Sequence, residues 1–187
     1  MSRAVLWLVL FFPVSEVTLA VVRRARRGIV RRAEGGSAGR LWLVILGGVA
    51  VAIASLWIGG LTLPGPRRLL NGLALFLMAS GLVLRWVAIL TLGRFFTVDV
   101  AIHEQHAVVD KGVYRYVRHP SYAGLLLAFA GLGVFFGNWL ALAAVTVPVA
   151  IALLARIRRE EAALLQGLGD AYAAYCSRTK RLVPGVY

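Results

Sequence analysis

Cysteine is nearly missing from this chain. Cys176 is the single one, so no intrachain disulfide can form and no multi-cysteine metal site can be built. A buried or interfacial free thiol is its plain reading. Acidic residues are scarce as well, with 8 Asp and Glu against 21 Lys and Arg and a net charge of +13. Charged residues of both signs make up only 16% of the chain, while hydrophobic residues make up 60%. A water-facing fold needs about 45–50% apolar residues, so this excess demands another solvent. A basic balance can mark a nucleic-acid binder. Here, however, the arginines lie between long apolar runs, where membrane topology accounts for them and nucleic acid is not needed. There is no solenoid-type repeat. A length of 187 residues suits one compact unit.

What is present is a series of apolar stretches. Residues 4–22 are interrupted by Pro13, Ser15 and Glu16. Residues 41–63 carry no charge, residues 69–92 carry only Arg85, and residues 122–155 carry none. A helix crossing the hydrocarbon core takes about 20 residues. The first three stretches each fit one crossing. The fourth is too long for one, and Phe136-Gly137-Asn138-Trp139 at its middle has turn chemistry, so it reads as a helical hairpin. The length of the first stretch, its Glu16 and the arginine cluster after it favour a retained span over a cleaved signal. The fold expected is therefore an all-α integral membrane protein of about five transmembrane helices, the last two a hairpin. Residues 1–92 hold three spans and a basic loop; residues 93–187 hold the hairpin and a polar, chemistry-bearing region. The Gly35-Gly36-Ser37-Ala38-Gly39 segment reads as a connector. Residues 156–175 place Ile157, Leu164, Leu168, Tyr172 and Tyr175 at threes and fours, which predicts a C-terminal helix continuing out of the last span. Gly167 and Gly169 each weaken that helix by about 1 kcal/mol.

Lysine and arginine set the orientation. They crowd the loop after the first span (Arg23 to Arg40), the loop 93–120 (Arg94, Lys111, Arg115, Arg118) and the tail (Arg156 to Arg181). Five spans put these three regions on one side, opposite Arg3, Arg67 and Arg68. The positive-inside rule makes that side cytoplasmic and leaves the N-terminus outside.

The candidate chemistry lies in this polar region. Tyrosines, arginines and a histidine crowd the run from Gly112 to Gly124. An interfacial belt touching headgroups is the bland alternative for them. His103 and His106 form an H-x-x-H pair without a third ligand at familiar spacing, so a metal is not expected. Glu16 inside a span is best paired within the bundle. Arg85, near the end of its span, can snorkel to the interface. Arg156 and Glu160 are four apart on the tail helix. As a surface pair they are worth about 0.2–0.5 kcal/mol. Facing a cavity instead, the guanidinium suits a carboxylate or phosphate and the carboxylate suits an amine or ribose hydroxyls.

Several runs occur in order. Leu92-Gly93-Arg94-Phe95-Phe96-Thr97 is followed by His106-Ala107-Val108-Val109-Asp110-Lys111-Gly112-Val113-Tyr114. Arg118-His119-Pro120-Ser121-Tyr122-Ala123-Gly124 comes next. Arg156-Ile157-Arg158-Arg159-Glu160-Glu161 follows, then Gly169-Asp170-Ala171-Tyr172-Ala173-Ala174-Tyr175, and finally Arg178 to Pro184-Gly185. Together they resemble the R-H-P-x-Y-x-G, R-x-x-x-E-E and closing tyrosine elements of the isoprenylcysteine carboxyl methyltransferase family, a group with membrane phospholipid and thiol methyltransferase relatives. The likeness covers roughly residues 85–185; the first two spans carry no signature.

The resemblance implies S-adenosylmethionine as cofactor and no metal. It implies that His106, Val108, Val109, Tyr114, His119, Pro120, Tyr122 and Glu160 contact the cofactor. Asp99 joins them at a position where a relative has glutamine. Arg156 matches the arginine facing the methyl acceptor. That acceptor is lipophilic or small, with a carboxylate, thiol or amine all open. It reaches the site from membrane lipid while the cofactor enters from the cytoplasm. Two rivals remain: an NADPH-dependent sterol-reductase-like enzyme with a related R-H-P-x-Y segment, generally longer, and a non-catalytic membrane subunit that binds lipid or a partner.

Overall fold

The computed structural model describes residues 7, 11, 14, 18, 31–32, 37–96, 101–102 and 107–187. The expected first span, Glu16, Arg23 to Arg27 behind it, Asp99, His103 and His106 thus lie outside the described residues, apart from helical Trp7, Phe11, Val14 and Thr18.

Among the described residues from 37 onward, five α-helices follow in order: α1 (Ser37–Ala54), α2 (Arg67–Leu92), α3 (Pro120–Phe136), α4 (Trp139–Leu168) and α5 (Asp170–Arg178). A two-residue strand pair, β1 (Arg31–Arg32) and β2 (Ala101–Ile102), is antiparallel with Arg31 opposite Ile102. Among the described residues, three helices, Gly39–Trp57, Arg67–Leu92 and Trp139–Leu168, are long and apolar enough to cross a membrane, and Pro120–Phe136 is a shorter apolar helix.

The hairpin turn falls where the sequence places it. Gly137 takes the left-handed conformation at φ 70° that ends α3. Asn138 then caps α4, its Oδ1 accepting from the backbone of Leu140 at 2.8 Å and Ala141 at 3.3 Å. The same asparagine ties the turn to the end of α1, donating to the Ser55 carbonyl at 3.2 Å. The second apolar run, residues 41–63, departs from expectation here. Its helix stops at Ala54 with a single tight turn, Ser55–Trp57, rather than continuing toward residue 63. Gly59, Gly60 at φ 82° and Pro64 break it, and Leu63 instead donates its amide to the Gly137 carbonyl at 2.9 Å. Arg67, starting α2, donates to the Phe135 carbonyl at 2.6 Å. The α1–α2 and α3–α4 connections therefore share one end of the bundle.

Helix α2 packs along α3, α1 along α4, and α3 along α4. The α2–α3 contact is backbone-close. A Cβ on Gly124 would lie 2.5 Å from the Gly81 carbonyl oxygen, and one on Gly131 would lie 2.7 Å from the Met78 side chain. Small residues at such spacing let helices touch where lipid offers no hydrophobic drive. A second layer joins Ile45 and Ala52 of α1, Leu125 and Phe129 of α3, and Ala141, Val145, Val149 and Leu153 of α4. Leu43, Leu46, Phe76, Leu90 and Ile151 face outward, as hydrocarbon-facing side chains do.

Helix α4 runs past its apolar part through Arg156 to Leu168. The continuous helix expected over residues 156–175 is broken: Gly169, at φ 53°, ends α4 and α5 starts at Asp170.

Candidate functional site

At the end of the bundle away from the hairpin turn, the chain leaves α2 and returns through a tight turn at Gly112–Arg115. Gly112, at φ 59°, lies against Thr91 of α2. The segment then runs beside the tail: Val117 pairs in parallel with Lys180, Arg118 N donates to Lys180 O at 2.8 Å, and His119 N donates to Arg181 O at 2.9 Å. His119 precedes α3 and Pro120 opens it. A proline suits that first position because the missing N–H would have no helical partner there.

The start of α3 meets the polar end of α4. The Tyr122 hydroxyl donates to Glu160 Oε2 at 2.7 Å and accepts from Arg156 Nε at 2.8 Å. The Arg156 guanidinium also stands over the Tyr122 ring, 5.8 Å from its centre. The His119 ring stacks nearly parallel to Tyr122, with centres 5.5 Å apart and planes 9° apart. Arg156 and His119 are both buried. One phenol thus orders a guanidinium, a carboxylate and an imidazole from two helices.

Adjacent Glu161 turns elsewhere, as neighbours about 100° apart around a helix do. Its Oε1 accepts from Arg118 Nε at 2.8 Å and from His119 Nε2 at 3.2 Å, while Oε2 accepts from Arg181 Nε at 2.8 Å. The hydrogen bond to Glu161 holds the Arg181 guanidinium above its ordinary pKa. Arg118 Nη1 further donates to the carbonyls of Cys176, at 3.1 Å, and Thr179.

Tyr114 is buried in the tight turn, and its carbonyl accepts from the Tyr175 hydroxyl at 2.6 Å. Burial first, and then the charge of nearby Glu160, hold the Tyr114 phenol above its usual range. Burial pushes the Tyr175 phenol up to about 12.

Tyr114, His119, Pro120, Tyr122, Arg156 and Glu160 are therefore gathered at one end of the bundle. Val108 and Val109 lie half-buried on the extended segment before the tight turn and take no part in the bonds of this cluster. Asp99 and His106 lie outside the described residues. Sequence reasoning missed Glu161, Arg118 and Arg181 as a unit. The doubled glutamate after Arg156 was the available signal, because two adjacent carboxylates on a helix serve two faces. Arg85 does not snorkel. It is buried and donates to Ser121 Oγ at 2.9 Å, tying α2 to the start of α3. Among the described residues, no three His, Cys, Asp or Glu side chains gather as metal ligands.

The helices and this cluster define an integral membrane protein with a buried polar site at one end of an apolar bundle. The model of the isoprenylcysteine carboxyl methyltransferase (ICMT) family matches residues 73–166, half of the chain. The chain belongs to that family. It is 36% identical over 119 residues to protein-S-isoprenylcysteine O-methyltransferase B of Arabidopsis thaliana, covering 63% of this chain and 60% of the relative. To protein-S-isoprenylcysteine O-methyltransferase of Schizosaccharomyces pombe it is 32% identical over 113 residues, covering 59% and 48%. The solved structure of the eukaryotic intramembrane Ras methyltransferase ICMT superposes with a TM-score of 0.64 at 25% identity, covering 79% of this chain and 53% of that one. The chain thus spans 60% of the plant relative's length and about half of the others'.

Proposed function

We propose that this protein transfers a methyl group from S-adenosylmethionine to a lipophilic or small acceptor, with a carboxylate of the isoprenylcysteine kind as the acceptor best supported. The observation that carries the reading is the Tyr122 hydroxyl held between Arg156 and Glu160 with His119 stacked against its ring.

The donor set fits the cofactor. S-adenosylmethionine presents an amine and ribose hydroxyls, which a carboxylate such as Glu160 accepts, and a flat adenine and a cation, which aromatic faces such as Tyr122 and His119 suit. When bound, it supplies a methyl group already activated by its sulfonium. Tyr114, His119, Pro120, Tyr122 and Glu160 would hold it, with Val108 and Val109 on the approaching segment and Asp99 and His106 carried over by resemblance.

Arg156 is the acceptor clamp. A guanidinium can hold a carboxylate by two parallel bonds and so fix the direction from which it attacks. The Tyr122 hydroxyl accepts from Nε and thereby helps set the plane of the guanidinium. Glu160, accepting from the same hydroxyl, keeps the phenol proton pointed away from Arg156. A carboxylate acceptor needs no general base, which agrees with a cluster rich in cations.

The lysine and arginine asymmetry supports five spans, the N-terminus outside and the site facing the cytoplasm. In this reading residues 1–92 form the membrane scaffold and residues 93–187 form the catalytic unit, with the C-terminal helix capping the site. The acceptor then arrives through membrane lipid and the cofactor from water. The test is transfer of radiolabelled methyl from S-adenosylmethionine into a membrane extract, with calorimetry of S-adenosylhomocysteine and NADPH on purified protein. A labelled acceptor and binding of S-adenosylhomocysteine are expected. Binding of NADPH alone overturns the reading.

A further inference from the structure

Glu161 has no part in the chemistry above, yet more side chains converge on its carboxylate than on Glu160. Its side chain is 12% exposed and receives Arg118, His119 and Arg181. Each partner reaches the site or the tail by a second route. His119 stacks on Tyr122. Arg181 accepts the His119 amide through its own carbonyl. Arg118 is bonded to the carbonyls of Cys176 and Thr179 in the tail.

We propose that Glu161 is a positioning residue for the cofactor site: it fixes the orientation and tautomer of the His119 ring and links that ring to the folded C-terminal tail. The proposal rests on the reading of His119 as a cofactor-binding residue. A carboxylate flanked by two guanidiniums is ionised and only accepts. The 3.2 Å contact therefore requires the proton on His119 Nε2. Ring orientation follows, because the imidazole is pinned at Nε2 on one side and stacked on Tyr122 over its face. An imidazole so held presents its Nδ1 in one direction, as a hydrogen bond at one ring nitrogen sets the state of the other. Arg118 and Arg181 in turn bond the two oxygens of Glu161, so the carboxylate cannot swing away without breaking its side-chain ties to both the Arg118–His119 segment and the tail.

The alternative makes Glu161 a mere clasp for the tail. Two measurements separate these accounts. The first uses the unaltered protein in detergent with 15N-labelled histidine, the His119 signal being assigned by its loss in His119→Gln. A ring protonated at Nε2 is expected, and a neutral ring protonated at Nδ1 overturns the proposal. The second compares S-adenosylhomocysteine affinity in Glu161→Gln and Arg181→Gln, both of which weaken the clasp. Loss of the charged acceptor should weaken binding about tenfold or more in Glu161→Gln. Arg181→Gln, which leaves the His119 contact in place, should stay within about threefold of the parent while losing thermal stability. Equal loss of affinity in the two variants, or none in Glu161→Gln, overturns the positioning role. If the unaltered protein does not bind S-adenosylhomocysteine, the cofactor reading fails and this proposal fails with it. Binding by the parent with unchanged Glu161→Gln overturns this proposal alone.

Discussion

Replacing Gly124 by alanine adds one methyl group where α2 and α3 approach backbone to backbone. The new Cβ would stand 2.5 Å from the Gly81 carbonyl oxygen, 2.8 Å from the Arg85 amide nitrogen and 3.2 Å from the Arg85 Cα. Every one of these neighbours is backbone, so no side chain can rotate out of the way. The nearest is about 0.9 Å inside the 3.4 Å at which ordinary contact begins, so α2 and α3 must part by most of that amount. Overpacking of this kind costs about 1–3 kcal/mol. The separation also strains the Arg85 to Ser121 bond at 2.9 Å, one residue from Tyr122. We expect Gly124→Ala to lower the midpoint of thermal unfolding in detergent and to weaken S-adenosylhomocysteine binding together. Gly72→Ala is the control. It lies on the facing helix α2 with nothing within 4 Å of its added Cβ, and the higher helix propensity of alanine should make it neutral or stabilising by up to about 1 kcal/mol. Gly124→Ala with an unchanged unfolding midpoint and unchanged binding would refute the close-packing argument.

Four further outcomes are expected. Glu160→Ala removes the acceptor of the Tyr122 hydroxyl, and S-adenosylhomocysteine titration should show a loss of about tenfold or more; unchanged affinity in a folded variant rules out its cofactor role. Arg156→Ala should lower methyl transfer while cofactor affinity holds, and Arg156→Lys should rescue only in part, because an ammonium lacks the planar fork; full activity in the lysine form would make Arg156 a topology charge instead. Gln105→Cys and Ser177→Cys, each in a Cys176→Ser background, should resist impermeant thiol reagents in intact cells, and labelling of either overturns the cytoplasmic assignment. Tyr175→Phe removes the buried bond to the Tyr114 carbonyl and should cost about 1 kcal/mol in unfolding experiments. Burial raises the folded phenol from 10.0 to about 12, so this tyrosine's contribution is whole below pH 10 and is lost as pH climbs through about 12. The gap between parent and Tyr175→Phe should close over that window, and a gap that stays constant to pH 12 contradicts it.

Local pattern determined much of this molecule. Length and apolarity alone mark the span over residues 69–92, which α2 extends by two residues, because a lipid-spanning helix satisfies its own backbone and needs only enough apolar residues in a row. The hairpin turn was legible for a similar reason: Gly137 supplies a left-handed residue and Asn138 a cap, and both act within three or four residues of themselves. The motif residues His119, Tyr122, Arg156 and Glu160 were legible as an ordered set, although the sequence says nothing of the phenol that stands between the last two. What tertiary structure decided involves partners far apart in the chain. Arg85 reads as an interfacial charge until α3 brings Ser121 against it, 36 residues away. Glu161 reads as half of a doubled glutamate until the loop and the tail deliver Arg118 and His119 from more than 40 residues upstream and Arg181 from 20 downstream. The end of α4 belongs to the same class. A stripe of apolar residues continues through Tyr175, but Gly169 turns the chain so that α5 leaves the axis, and the tail instead pairs with residues 117–119. Helical period records which residues share a face. It carries no information on where a flexible glycine will point the chain next, because that direction is chosen by the contacts made after the turn.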